Sequence, residues 1–124
     1  VINNTVAEDV IFSGDDFYLI SLFQNLLDNA KKYSPDGSEI NIYSESNSSK
    51  IIICISDQGV GIAEDEKSKI FDRFYRIEDE ETRSSKGTGL GLFLVNQIVK
   101  MHGGKIICKN NTPRGSIFEL HFKK

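Results

Sequence analysis

The sequence predicts an α+β fold: a two-layer sandwich in which a mixed sheet carries its helices packed on one face. Three observations point to it. Short β-rich runs come in two neighbouring pairs joined by turn residues, three helical stretches are interleaved with them, and each helical stretch has an apolar side able to cover a sheet. At 124 residues the chain is read as a single domain, 1–124, large enough to bury a core without a disulfide or a structural metal.

Taken in order, Asp9 to Ser13 holds a short apolar run that reads as a strand, paired near Val1 and Ile2. Ser13 and Gly14 supply turn chemistry, and Asp15 or Asp16 can cap the helix that follows. That helix runs from Asp16 to Tyr33. Lys31 and Lys32 suit its negative pole, and Ser34-Pro35 ends it because a residue before proline resists the helical region.

Counted at about 100° per residue, Ile20, Phe23, Leu26, Leu27 and Ala30 share a core face, with Asn25, Asn29 and Lys32 grouped opposite. Asparagine is a mediocre helix former because its amide competes for backbone groups, so two of them one turn apart need a reason. A wet polar side is one. The other is that neutral amide oxygens beside an ammonium can serve Mg²⁺ and polyphosphate.

Glu39 to Ser44 alternates apolar and polar residues, and Lys50 to Asp57 contains the apolar run Ile51 to Ile55. Joined through Asn47-Ser48-Ser49 they form a hairpin. A helix is expected from Ala63 to Phe74, with Glu64, Asp65 and Glu66 in its first turn, where the helix dipole favours acids. Ile77 to Lys86 has almost no apolar content and reads as a mobile surface loop. A last helix spans Leu90 to Met101, with Leu94, Val95, Ile98 and Val99 on its core side and Gly103 as C-cap. Lys105 to Lys109 and Ser116 to Phe122 complete a second hairpin.

Bulk properties narrow the function classes. A formal charge of −3 with no basic cluster argues against a nucleic-acid surface. Cys54 and Cys108 each sit inside an apolar run rather than in a CxxC pair, which reads as buried free thiols in a reducing compartment. No apolar run approaches the roughly 20 residues of a membrane span, so no membrane contact is expected of this domain. The chain begins at Val1, so it is read as a piece of a larger protein.

Four stretches carry chemistry. Gly87-Thr88-Gly89-Leu90-Gly91-Leu92 fails the dinucleotide fingerprint because position 92 is leucine, and no Walker lysine follows. Its glycines still permit close backbone approach ahead of a helix N-terminus that attracts phosphate, unless the stretch is merely a hinge. Asp57, just past a buried strand and before Gly59 and Gly61, is either ordinary turn chemistry or an acceptor-only group for the exocyclic amine of adenine, where guanine offers a carbonyl. Phe71 and Phe74 lie one helical turn apart and read as core. Arg76, at the edge of the polar loop, is either a solvated surface residue or a phosphate fork.

In this order, NLLDNAKKYS, DQGVGI, IFDRFYR and GTGLGL resemble the N box, the F box and the two flanking glycine boxes of the ATP-binding catalytic domain of sensor histidine kinases, in the GHKL superfamily. The resemblance covers about Asp15 to Phe122 and includes the tail, Met101-His102-Gly103-Gly104 followed by a hairpin with Arg114-Gly115-Ser116. One departure is Pro113, which occupies a position where the family often has glycine.

The resemblance implies a Bergerat-type ATP-binding fold with ATP and Mg²⁺ as cofactors. Asn29 would supply the metal ligand with Asn25 beside it, Lys32 would reach the phosphates and Tyr33 would pack by the nucleoside. Asp57 would bind the adenine amine, with Gly59, Gly61 and Ile62 shaping the base slot. Arg76 would reach the terminal phosphate, Gly87, Thr88, Gly89, Leu90, Gly91 and Leu92 would bracket the triphosphate, and 77–86 would be the lid. Asn25, Lys32 and Arg76 would be the catalytic set.

Hydrolases of the superfamily place a water-activating glutamate where this chain has Asn25, which implies transfer rather than hydrolysis. His102 and His121 resemble no phosphoacceptor box, so the accepting histidine is expected on a separate dimerisation domain, with a response regulator downstream through the parent protein. The isolated domain is expected to be a cytoplasmic monomer, in a parent that can itself be membrane-anchored. A serine kinase of the anti-sigma-factor type and a non-catalytic nucleotide-binding regulatory module stay open as alternatives.

Overall fold

A computed structural model describes residues 2–6, 14–72 and 91–123. Its elements in chain order are β1 (Ile2–Asn4), α1 (Asp16–Tyr33), β2 (Ile40–Ser46), β3 (Lys50–Ser56), α2 (Gly91–Met101), β4 (Lys105–Asn110) and β5 (Ser116–Lys123). The sheet order is β1-β2-β3-β5-β4. β1 pairs parallel with β2, whereas the β2–β3, β3–β5 and β4–β5 pairs are antiparallel, so the sheet is mixed as predicted. The strand expected from Asp9 to Ser13 and the loop 77–86 lie outside the described residues.

α1 starts and stops where its sequence dictates. The Asp15 carboxylate accepts from the backbone N–H of Phe17 and Tyr18, satisfying two of the otherwise unpaired donors of the first turn, and Ser34 is extended ahead of Pro35. α2 ends in a Schellman arrangement. The Gly104 N–H donates to the Val99 carbonyl, the Gly103 N–H donates to the Lys100 carbonyl, and Gly103 takes a left-handed φ of 72°.

Both helices cover the same face of the sheet. Leu22, Leu26 and Ala30 of α1, with Val95, Ile98 and Val99 of α2, form one core with Ile51, Ile53 and Ile55 of β3 and Phe118, Leu120 and Phe122 of β5. The alternation along β3 and β5 is what puts these residues on one side.

Three expectations need correction. Ile20 is not a core residue: it is 70% exposed, and the buried row of α1 is Leu22-Leu26-Ala30, flanked by the half-buried Phe23 and Leu27. α1 packs chiefly on α2, and its apolar stripe is wider than that contact, so the helix settles on the Leu22 edge of the stripe. Asn25 lies about 60° from Leu22, and Asn29 about 60° from Leu26, on a helix of 3.6 residues per turn, and this rotation brings both amides to the half-buried edge of the contact. In α2, likewise, Leu94 is exposed while Val95, Ile98 and Val99 are buried.

The segment expected as a helix from Ala63 to Phe74 is, over 63–72, a run of hydrogen-bonded turns. Bonds of three-residue span (Glu66 N–H to Ala63, Lys69 N–H to Glu66) alternate with bonds of four-residue span (Lys67 N–H to Ala63, Ile70 N–H to Glu66). Within this segment Ile70 is buried and Phe71 packs edge-on against Phe118 at 6.3 Å between centroids, whereas 63–69 is polar but for Ala63. Without a continuous apolar stripe there is little to carry a helix past its costly first turn.

Candidate nucleotide site

The site is built where β3 runs out. Asp57 follows the last residue of β3 and is only 4% exposed, held by the β5 end and by its own loop. Its Oδ1 accepts from the Gly59 N–H at 2.9 Å and from the Ser116 N–H at 3.1 Å. The Asp57 N–H donates to the Ser116 carbonyl, and the Asp57 carbonyl accepts from the Asn111 side-chain amide at 2.7 Å. Among the described residues nothing hydrogen-bonds to Oδ2. Burial pushes the Asp57 carboxyl above its ordinary range, and the N–H groups of Gly59 and Ser116 pull it part of the way back.

Two glycines let the backbones close around this carboxylate. A β-carbon at Gly59 would lie 2.3 Å from the Tyr33 carbonyl oxygen, at the end of α1. One at Gly115, whose φ is 106°, would lie 2.0 Å from the Asp57 carbonyl oxygen. Arg114 ties the same loop down, its Nε donating to the Gly59 carbonyl at 2.9 Å. The Thr112–Pro113 peptide, at the expected departure, is cis. Gly61 is left-handed at 76° and faces the Gly115 backbone, and Ile62 packs on the edge of the core.

The second half of the site lies between α1 and α2. The Asn25 amide donates through Nδ2 to the Ser21 carbonyl at 2.8 Å, which turns Oδ1 toward the start of α2. A β-carbon at Gly91 would sit 3.2 Å from that oxygen. Asn29, one turn on, is half-buried and makes no hydrogen bond to a described residue. Lys32 sits over the Tyr33 ring, 5.3 Å from its centroid. Leu92 packs against the core.

The structure thus gathers Asn25 with Gly91, and Tyr33 with Asp57, Gly59 and Gly61. Arg76, Gly87, Thr88, Gly89 and Leu90 lie outside the described residues. The sequence reading missed Ser116 and Asn111, which bond to Asp57, and Arg114, which bonds to the Gly59 carbonyl beside it. The Arg114-Gly115-Ser116 tail was the available signal, but nothing local says that it bonds to a carboxylate 59 residues earlier.

Residues 14–124 match the family described as histidine kinase-, DNA gyrase B-, and HSP90-like ATPase. The chain belongs to this family. It is 39% identical over 114 residues to the sensor protein SrrB of Staphylococcus aureus strain NCTC 8325, covering 92% of this chain and 20% of that protein. It therefore spans about a fifth of the length of the curated relatives it matches. Among solved structures, the mycobacterial sensor histidine kinase MprB superposes with a TM-score of 0.84 at 31% identity, over 98% of this chain and 80% of that one. The catalytic domain of the histidine kinase ThkA gives 0.83 at 30%, over 99% and 80%. Full-length ShkA, solved in complex with AMPPNP, shares the fold with a TM-score of 0.80 at 21% identity, over 98% of this chain and 25% of that one. The α+β fold and the GHKL-type catalytic domain expected from the boxes are those of these relatives.

Proposed function

We propose that this domain binds Mg²⁺-ATP and presents the γ-phosphate to a histidine on a separate dimerisation domain, as the catalytic part of a sensor histidine kinase. The observation that carries the reading is Asp57. A buried carboxylate whose Oδ1 is committed to two backbone donors keeps Oδ2 as a fixed acceptor, and an acceptor alone selects the amine of adenine over the carbonyl of guanine. Gly59, Gly61, Ile62 and Tyr33 would enclose the base. Asn29 is the half-buried amide without a bond to a described residue, and it fits a metal that takes one or two protein oxygens and fills its shell with phosphate oxygens and water. Bound Mg²⁺ would supply charge neutralisation to the phosphates. Lys32, Arg76 and the glycines before α2 would hold the phosphate chain, with 77–86 as lid.

Asn25 supports transfer over hydrolysis. Its amide is fixed by Ser21 and accepts no proton, so it cannot serve as the base that activates water. A neutral histidine nitrogen needs no such base. Across the described residues no helix is long and apolar enough to cross a membrane, and we place the domain in the cytoplasm, acting on the parent's own dimerisation domain and through it on a response regulator. Incubation with γ-labelled ATP and a supplied dimerisation domain tests the reading. Acid-labile, base-stable label on that partner is expected; acid-stable phosphoserine, or no transfer, would overturn it.

A further inference from the structure

His102 lies at the end of the molecule away from Asp57, yet both its ring nitrogens are committed. Nδ1 is 2.8 Å from the Ile98 carbonyl, which can only accept, and Nε2 is 3.0 Å from the Asp15 backbone N–H, which can only donate. These partners fix the neutral Nδ1–H tautomer. The ring also packs against the turn before α1: a β-carbon at Gly14 would lie 2.8 Å from His102 Cδ2 and 2.9 Å from Nε2. The residue bonded in this way is the N-cap of α1, so His102 grips the start of one helix from the end of the other.

The same two helices meet again at Asn25 and Gly91. Asp15 is ten residues from Asn25 along α1 and His102 eleven from Gly91 along α2, about 15 Å and about 17 Å at 1.5 Å per residue. The antiparallel pair is therefore bonded at one end, by His102 and Asp15, and in close contact at the other, where Asn25 faces Gly91. Sliding or turning α1 against α2 would have to break the His102–Asp15 bond. The far end of α1 is seated separately, with Gly59 against the Tyr33 carbonyl, so a movement freed at Asp15 would swing α1 about Tyr33 and shift Asn25 and Asn29 relative to the start of α2, while Tyr33 stays against Gly59 and Asp57 stays bonded to Ser116.

We propose that His102 is a positioning residue that sets the register of α1 against α2, and so places the metal-binding and phosphate-binding parts of the site relative to each other. The proposal rests on the nucleotide reading above. It predicts a split: affinity for the phosphate and metal end of the ligand depends on His102, and affinity for the base does not.

The test compares wild type with His102→Phe, which keeps a ring of similar shape without either nitrogen, and His102→Gln, whose Oε1 can stand near Nε2 as an acceptor. Calorimetry with adenosine and with Mg²⁺-ATP is combined with hydrogen exchange at the Asp15 amide. His102→Phe should bind Mg²⁺-ATP about tenfold more weakly, the scale of one lost hydrogen bond, with adenosine affinity within about twofold of wild type and the Asp15 amide exchanging about tenfold faster. His102→Gln should recover most of both losses. Unchanged Mg²⁺-ATP affinity in His102→Phe, equal loss of adenosine and Mg²⁺-ATP, or no rescue by glutamine would each overturn the proposal. A wild-type chain that binds neither ligand would instead overturn the nucleotide reading, before any variant is compared.

Discussion

The backbone of Gly59 rests on the carbonyl of Tyr33, so close that a β-carbon at position 59 would come within 2.3 Å of that oxygen. The loop that carries Asp57 at the end of β3 is thereby seated on the end of the helix that carries Asn25 and Asn29. Backbone cannot yield as a flexible side chain can, so Gly59→Ala must move the loop off the helix. A loss of about 1–3 kcal/mol in urea unfolding is expected, the usual range for overpacking. Weakened binding of adenosine should accompany it. Wild-type stability in this variant would show that the loop is not seated as described.

Asp57 should cost stability that function requires. Its folded-state pKa is raised above the ordinary 3.8 because burial disfavours the charged form. In the window between those two values the folded protein binds more protons than the unfolded chain, so stability falls as pH rises through it and the loss is complete above the folded pKa. Asp57→Asn keeps an Oδ1 for Gly59 and Ser116 and removes the buried charge. Thermal melts should find it at least as stable as wild type at neutral pH and without this acid-side decline, while ATP affinity falls by about a hundredfold, as for a lost charged hydrogen bond. A variant that melts well below wild type at neutral pH would contradict burial as the dominant influence on this group.

Asn29→Ala separates ligand binding from folding in the same way. The side chain bonds to no described residue, and alanine is the better helix former by a few tenths of a kcal/mol, so the variant should be as stable as wild type. ATP binding without Mg²⁺ should be nearly unchanged, and the added affinity that Mg²⁺ confers should vanish. Retention of that increment would remove Asn29 from the metal role.

The orientation of α1 is tested by two alanines. Leu22 is fully buried and Ile20 largely exposed. Leu22→Ala should therefore cost about 2–5 kcal/mol, from lost transfer energy and the cavity left behind, and Ile20→Ala no more than about 0.5 kcal/mol. Comparable losses from the two would mean that the helix presents the Ile20 side of its stripe to the core.

The ends of α1 were legible because they are set by local chemistry: the Asp15 carboxylate at one end and Pro35 at the other act within a few residues of themselves. The rotation of α1 was not, since an apolar stripe spanning Ile20, Leu22, Phe23, Leu26 and Leu27 is wider than the surface it meets, and only the position of α2 decides which edge is buried. The turns over 63–72 escaped for a related reason. Acids in a first turn favour a helix that forms, but they supply no buried face to sustain it.

Within the site, Asp57 and the asparagines stood out by residue type, and the order of the motifs gave them meaning. Beyond its own loop, Asp57 is held by Ser116 at the start of β5, which reaches it only through the antiparallel register that places Ser56 opposite Ile117. For His102 the sequence says only that it resembles no phosphoacceptor box, because nothing in Met101-His102-Gly103-Gly104 shows that its ring reaches the N–H of Asp15, 87 residues earlier.

The central claim, that Asp57 selects adenine in an Mg²⁺-dependent triphosphate site, is tested most directly by titration calorimetry of the wild-type chain with ATP and with GTP, each with and without Mg²⁺. Saturable ATP binding strengthened by Mg²⁺, with GTP bound at least about a hundredfold more weakly for want of the amine that Asp57 accepts, is the predicted result. Equal affinity for ATP and GTP, or no binding of ATP, would contradict it.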